Sequence, residues 1–150
     1  IIYLTVGSEK SDFSDAPPHL VGLFRYTDNY EGSRTHEILD ELKPLPGERV
    51  VNKTTYGAFA SSNIKEVLEE MEVTHLLFTG VSTNVCIDAT ARSAADYGFN
   101  PIMIEDGMAS GSEEAHRAAL VAWPRPIRVS DTDEVIKELQ EALALAGAPA

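Results

Sequence analysis

Phe78-Thr79-Gly80-Val81-Ser82-Thr83-Asn84-Val85-Cys86-Ile87-Asp88-Ala89-Thr90-Ala91-Arg92 is the stretch whose reading decides the fold. The apolar run Leu76-Leu77-Phe78 breaks at Gly80 into a Ser/Thr/Asn turn, and a helical pattern follows at once. Cys86, the only cysteine, therefore falls in the first turn of a helix that springs from the carboxyl end of a strand. Open α/β sheets bind their ligands at that place. A thiol there feels the positive end of the helix dipole and unpaired backbone N–H groups, which favour the thiolate. Taken alone, a single cysteine is more often a small buried hydrophobe, so the surrounding chain has to separate the two readings.

Working outward, residues 74–79 form a strand, and the Cys86 helix runs over 83–97 with Gly98 as its C-cap. Residues 100–105 make the next strand, ending at Asp106-Gly107. Ser112 then caps a helix to about residue 123, with Glu113 and Glu114 complementing its dipole. Pro124 and Pro126 stop it. A last strand covers 127–130 and a last helix 132–145, before an Ala/Gly/Pro tail that should fray. Upstream, residues 1–6 and 49–53 read as buried strands. Ser62 or Asn63 opens a helix to about residue 71, with Ile64, Val67 and Leu68 inward. Residues 33–43 are expected to form a short helix on Ile38, Leu39 and Leu42, whereas 8–32 read as a long loop with about one helical turn. Strict alternation of helices with strands buried on both faces predicts a single domain over residues 1–150. Its fold class is α/β, a three-layer αβα arrangement with a parallel sheet and helices on both faces.

Composition narrows the function. With 24 acidic and 12 basic side chains the formal charge is −12, which argues against nucleic acid or an anionic membrane as partner. One cysteine leaves no internal disulfide and fits a reducing compartment. The sequence carries no long apolar span and no charged-then-apolar leader, so a cytoplasmic location is expected. No strand is followed by a Gly-x-Gly-x-x-Gly or phosphate loop, so no cofactor is expected. Phe13, Leu23, Phe24, Tyr26 and Tyr30 are many apolar groups for a loop, which points to a homo-oligomer.

Two separated motifs carry a resemblance. The segment 51–59, Val-Asn-Lys-Thr-Thr-Tyr-Gly-Ala-Phe, precedes the Thr79 to Cys86 turn by about thirty residues, and residues 91–98, Glu105-Asp106 and 112–120 follow in order. Together they resemble the isochorismatase-like cysteine hydrolases, among them nicotinamidase, N-carbamoylsarcosine amidase and ureidoacrylate amidase. The resemblance implies a Cys–Lys–Asp triad, with Cys86 as nucleophile and Lys53 as its cationic neighbour. It also implies a cis peptide at Val81–Ser82 and an oxyanion hole built from the N–H groups of Ser82 and Cys86. The chemistry is consistent, since an ammonium beside sulfur raises the thiolate fraction. Tyr56 and Phe59 are expected to wall a pocket for a small-molecule substrate. A lysine at a strand end is otherwise a solvated surface group, and Asn52-Lys53-Thr54 is a chance match to a glycosylation sequon.

The departures from the family are as informative. Its triad aspartate ends a strand that would precede residues 1–6, central in the sheet between 1–6 and 74–79. This sequence has no counterpart of that strand, and Asp12, Asp15 and Asp28 all lie in the following loop. Opening at Ile1, inside a strand, it reads as part of a longer chain. Nicotinamidases carry a metal-binding Asp-x-His after the second strand. Here that stretch is Ser8-Glu9-Lys10-Ser11-Asp12, and His19, His36, His75 and His116 have no ligand spacing, so no metal is expected. The sequence predicts a cysteine-dependent hydrolase of a small amide, ureido or carbamoyl C–N bond acting through a thioester. The alternative is a catalytically impaired domain of the same fold, retained for binding or scaffolding.

Overall fold

Parallel strands need a crossover between them, and the sequence supplies one each time. The computed structural model describes residues 1–124 and 127–146. Pro126 and the tail after residue 146 lie outside the described residues. The strands are β1 (Ile2–Val6), β2 (Arg49–Lys53), β3 (His75–Val81), β4 (Asn100–Ala109) and β5 (Arg128–Ser130). The helices are α1 (Pro18–Thr27), α2 (Ile64–Glu70), α3 (Asp88–Asp96), α4 (Glu113–Ala122) and α5 (Thr132–Ala146). The fold is α/β throughout, and every strand pair is parallel. The chain divides into two compact units, Ile1–Glu72 and Val73–Ala150.

In the first unit β1 pairs with β2 from Ile2 against Arg49 to Val6 against Lys53. α1 occupies what the sequence suggested was mostly loop. Pro17-Pro18 reads as a breaker, yet proline is well suited to the first helical position, where its missing N–H has no partner anyway. One turn apart, Leu20 and Phe24 are buried and pack with Ala16, Phe13, Val21 and Val6. Burial of each large side chain contributes about 1.5–3 kcal/mol, and these contacts select the helix in a segment that shows little other pattern. Conversely, the helix expected over 33–43 is absent apart from a 3₁₀ turn at Asp40–Leu42. Leu39 and Leu42 stay exposed, so no apolar face offsets the ordering cost of a helix there.

The second unit has strand order β3-β4-β5. Its core is Ile87, Ala91, Met103, Met108, Trp123 and Ile127, with Phe78, Ala95 and Leu120 against it. β4 extends four residues past the expected end. After a register shift between Phe78 and Gly80, Met108 and Ala109 pair with Gly80 and Val81, so ladder bonds override the Asp-Gly turn signal. Thr79 Cγ2 lies 3.0 Å from where a Cβ on Gly107 would sit, which explains a glycine inside that strand. The strands are less buried than the expected two-face burial. Leu4, Leu77 and Val81 are exposed, and among the described residues no ladder forms on the outer edges of β1 and β3. Among the described residues, no helix is long and apolar enough to cross a membrane.

Candidate active site

Cys86 sits in a turn that departs from the continuous helix expected over 83–97. Residues Thr83–Ile87 form a single π-type turn, and only at Asp88 does α3 begin. The Ser82 carbonyl accepts from the N–H of Val85 at 3.1 Å and of Ile87 at 3.3 Å, so its bonds pass over the Cys86 amide between them. The Val81–Ser82 peptide is cis. Cys86 itself is a free, half-buried thiol.

Side chains grip the turn from several directions. Thr83 is fully buried and its hydroxyl pairs with His116 Nδ1 at 2.8 Å. Ser110 Oγ donates to Asn84 Oδ1 at 2.9 Å. The Cys86 carbonyl accepts from Thr90 Oγ1 at 2.7 Å. Asp88 accepts from Arg92 Nε at 2.9 Å and from the Trp123 indole N–H, tying the start of α3 to the end of α4. A cleft of about 290 Å³ opens beside the β4–α4 connection, lined by Glu105, Asp106, Met108, Ala109, Ser110, Ser112, Glu113 and His116. Cys86 is not among its lining residues.

In the first unit Lys53 ends β2, and it is not the solvated lysine that a strand end ordinarily carries. It is 3 % exposed, and its ammonium donates to the Thr55 carbonyl at 2.9 Å. That carbonyl is brought round by Ser61, whose Oγ accepts the N–H groups of Thr54 and Thr55 at 3.0 and 3.1 Å. Burying an ammonium is costly unless its donors are used, so the curl of residues 54–61 is the structural condition for Lys53 to be inside. Phe59 lies half-buried in the 3₁₀ turn Ala58–Ala60. Tyr56 is more open, 5.7 Å from the His19 ring.

At the neighbouring position Asn52 binds Thr5 Oγ1 (3.2 Å), His36 Nε2 (2.9 Å) and the Gly7 carbonyl (3.1 Å), so its amide is committed to joining β1 and β2. Gly7 in turn donates to the Lys53 carbonyl at 3.0 Å. A Cβ at Gly7 would meet His36 at 2.6 Å and Asn29 at 2.8 Å, so this contact requires glycine.

A model of the isochorismatase domain matches residues 1–134. The chain belongs to the isochorismatase family. It is 38% identical over 91 residues to ureidoacrylate amidohydrolase RutB of Variovorax paradoxus, a match spanning 61% of this chain and 34% of that protein. Among solved structures it is similar to a cysteine hydrolase from Pseudomonas syringae pv. phaseolicola (TM-score 0.85, 24% identity, 94% of this chain and 72% of that one). It is also similar to an isochorismatase-like hydrolase from Alkaliphilus metalliredigens (TM-score 0.77, 26% identity, 92% and 70%).

The loop aspartates of this isochorismatase domain have local duties. Asp15 accepts from Ser8 Oγ at 2.6 Å and from the N–H groups of Glu9 and Lys10 at 2.7 and 3.2 Å. Partial burial pushes its carboxyl up, but these bonds outweigh that and hold it below the ordinary carboxylate range. Asp12 accepts from the Ser14 N–H, and Asp28 forms the left-handed cap of α1. Phe13 and Tyr30 pack edge to face at 5.9 Å and Phe24 is buried, so of the five apolar loop residues only Leu23 and Tyr26 remain exposed. Among the described residues no three His, Cys, Asp or Glu side chains group to hold a metal ion.

Nothing in the sequence pairs His116 with Thr83, a bond that only the fold reveals. The one signal at His116 is its position, one helical turn after the Ser112 cap.

Proposed function

We propose that this isochorismatase-family chain belongs to a cysteine-dependent amidohydrolase acting on a small amide, ureido or carbamoyl C–N bond. Cys86 attacks the carbonyl carbon as thiolate, and Lys53 takes the role of the cationic residue in the family's triad pattern. The oxyanion of the tetrahedral intermediate is received by the N–H groups of Ser82 and Cys86. Collapse expels ammonia or an amine, which takes the proton released by the thiol, and water hydrolyses the thioester left on Cys86. Tyr56 and Phe59 are the candidate substrate-binding residues.

The observation that carries this reading is the π-type turn. A thiol stands directly after a parallel strand, on a residue whose own amide the Ser82 carbonyl bypasses. Burial of the Lys53 ammonium supports the same reading, since a lysine kept inside a domain is suited to charge stabilisation. The ureidoacrylate amidohydrolase relative supports the ureido class of substrate. The test is ammonia release from a panel of amides, ureido and carbamoyl compounds by the full-length protein, with Cys86→Ala alongside. Turnover that disappears in the variant is expected. Equal turnover in both would overturn Cys86 as the nucleophile, and none in either with ordinary iodoacetamide kinetics at Cys86 would leave the binding-module alternative.

A further inference from the structure

We infer that His116 is a positioning residue for the thiol-bearing turn, acting through Thr83. This deepens the hydrolase reading and rests on it. Thr83 is the first residue of the turn and has no exposure to solvent. Its hydroxyl cannot turn to water, and His116 Nδ1 at 2.8 Å is its partner. The backbone that carries the imidazole is itself fixed. Ser112 caps α4 through the Ala115 N–H at 3.2 Å, and the His116 N–H bonds the Ser112 carbonyl at 3.1 Å. Ser110, just before that cap, binds the very next turn residue, Asn84. The β4–α4 connection and the first turn of α4 thus hold two successive residues of the turn, the nearer two positions ahead of Cys86, while Thr90 holds the carbonyl behind it. Of these grips His116 is the one joined to a wholly buried group, whose loss of a partner forces a rearrangement rather than an exchange with solvent. His116 also lines the adjacent cleft, so its ring links the cleft wall to the turn.

The role differs from plain structural support in what it should move. A nucleophile displaced by a fraction of an ångström loses rate more than binding. In the full-length protein, His116→Leu should lower kcat about tenfold or more with KM within about twofold. It should also slow iodoacetamide labelling of Cys86. His116→Asn keeps a polar atom near the Nδ1 position and should recover most of kcat. Thr83→Val should resemble His116→Leu, and the double variant should be no worse than the poorer single, because both break one bond. A His116→Leu enzyme with unchanged kcat and labelling rate overturns the inference, as do losses that multiply in the double variant. Labelling reports on the turn without any substrate. A protein that hydrolyses no amide but whose labelling follows the His116 series would refute the hydrolase reading and keep the positioning role.

Discussion

The two compact units hold their shape by different means. The second, Val73–Ala150, is built on a continuous apolar cluster in which Met103 and Ala91 are fully buried between strand and helix. The first, Ile1–Glu72, has an apolar patch under α1 and a second set of buried apolar residues in Val51, Ala58, Ile64, Val67 and Leu68. Much of its remaining order comes from side chains bonded to backbone: Asp15 on Ser8, Glu9 and Lys10, Asn52 on Gly7, and Ser61 on Thr54 and Thr55. The second unit presents Cys86 on a packed scaffold, and the first buries Lys53 in a hydrogen-bonded loop. Side-chain hydrogen bonds onto a turn, set on an apolar scaffold, position the sulfur, and a curl of hydrogen-bonded backbone positions the ammonium.

The largest expected effect tests the second unit. Cys86→Ala should reduce hydrolysis by at least about 1,000-fold with an unchanged melting temperature, as measured by ammonia release and calorimetry. Lys53→Met should follow, with about a 100-fold loss of kcat/KM. Its stability should fall by no more than about 1–3 kcal/mol, since the Thr55 carbonyl loses its donor. A large loss of stability would instead make Lys53 a structural group. Third, Leu20→Ala removes the best-buried side chain under α1 and should lower stability by about 2–5 kcal/mol in urea titration. A smaller cost would show that the patch under α1 contributes little to holding the first unit.

Asp15→Asn should have the smallest effect, about 1–3 kcal/mol at neutral pH, because hydrogen bonds to a charged acceptor are lost. Its sign with pH is fixed by the depressed carboxyl. The stabilisation is complete above the unfolded value near about 3.9 and disappears as pH falls through the lower folded value. Melting temperatures of parent and variant should therefore converge in acid.

The same contrast explains what could be read from the sequence. In the second unit β3, α4 and α5 follow apolar periodicity and caps, and they were legible to within a few residues. The added length of β4 was not, because it depends on pairing with Gly80 and Val81 across a register shift that no local pattern encodes. In the first unit α1 was hidden by its prolines, and the segment over 33–43 mimicked a helix although it had no core to face. Around the candidate site, Cys86 and Lys53 stood out through the spacing of two motifs. The Lys53 burial and the Thr83–His116 bond did not, since each depends on a fold-level approach of residues far apart or curled back by a single serine.

The five-residue turn before α3 has a further consequence. A helix advances about 100° per residue, so the number of residues between Ser82 and Asp88 sets the azimuth at which everything downstream points. Thr90, Ala91 and Ala94 face inward only at that angular phase. Deleting Asn84 would rotate them away from the core by roughly a quarter turn, even with every remaining side chain intact. Length, more than composition, is the property of this segment that the molecule can least tolerate losing.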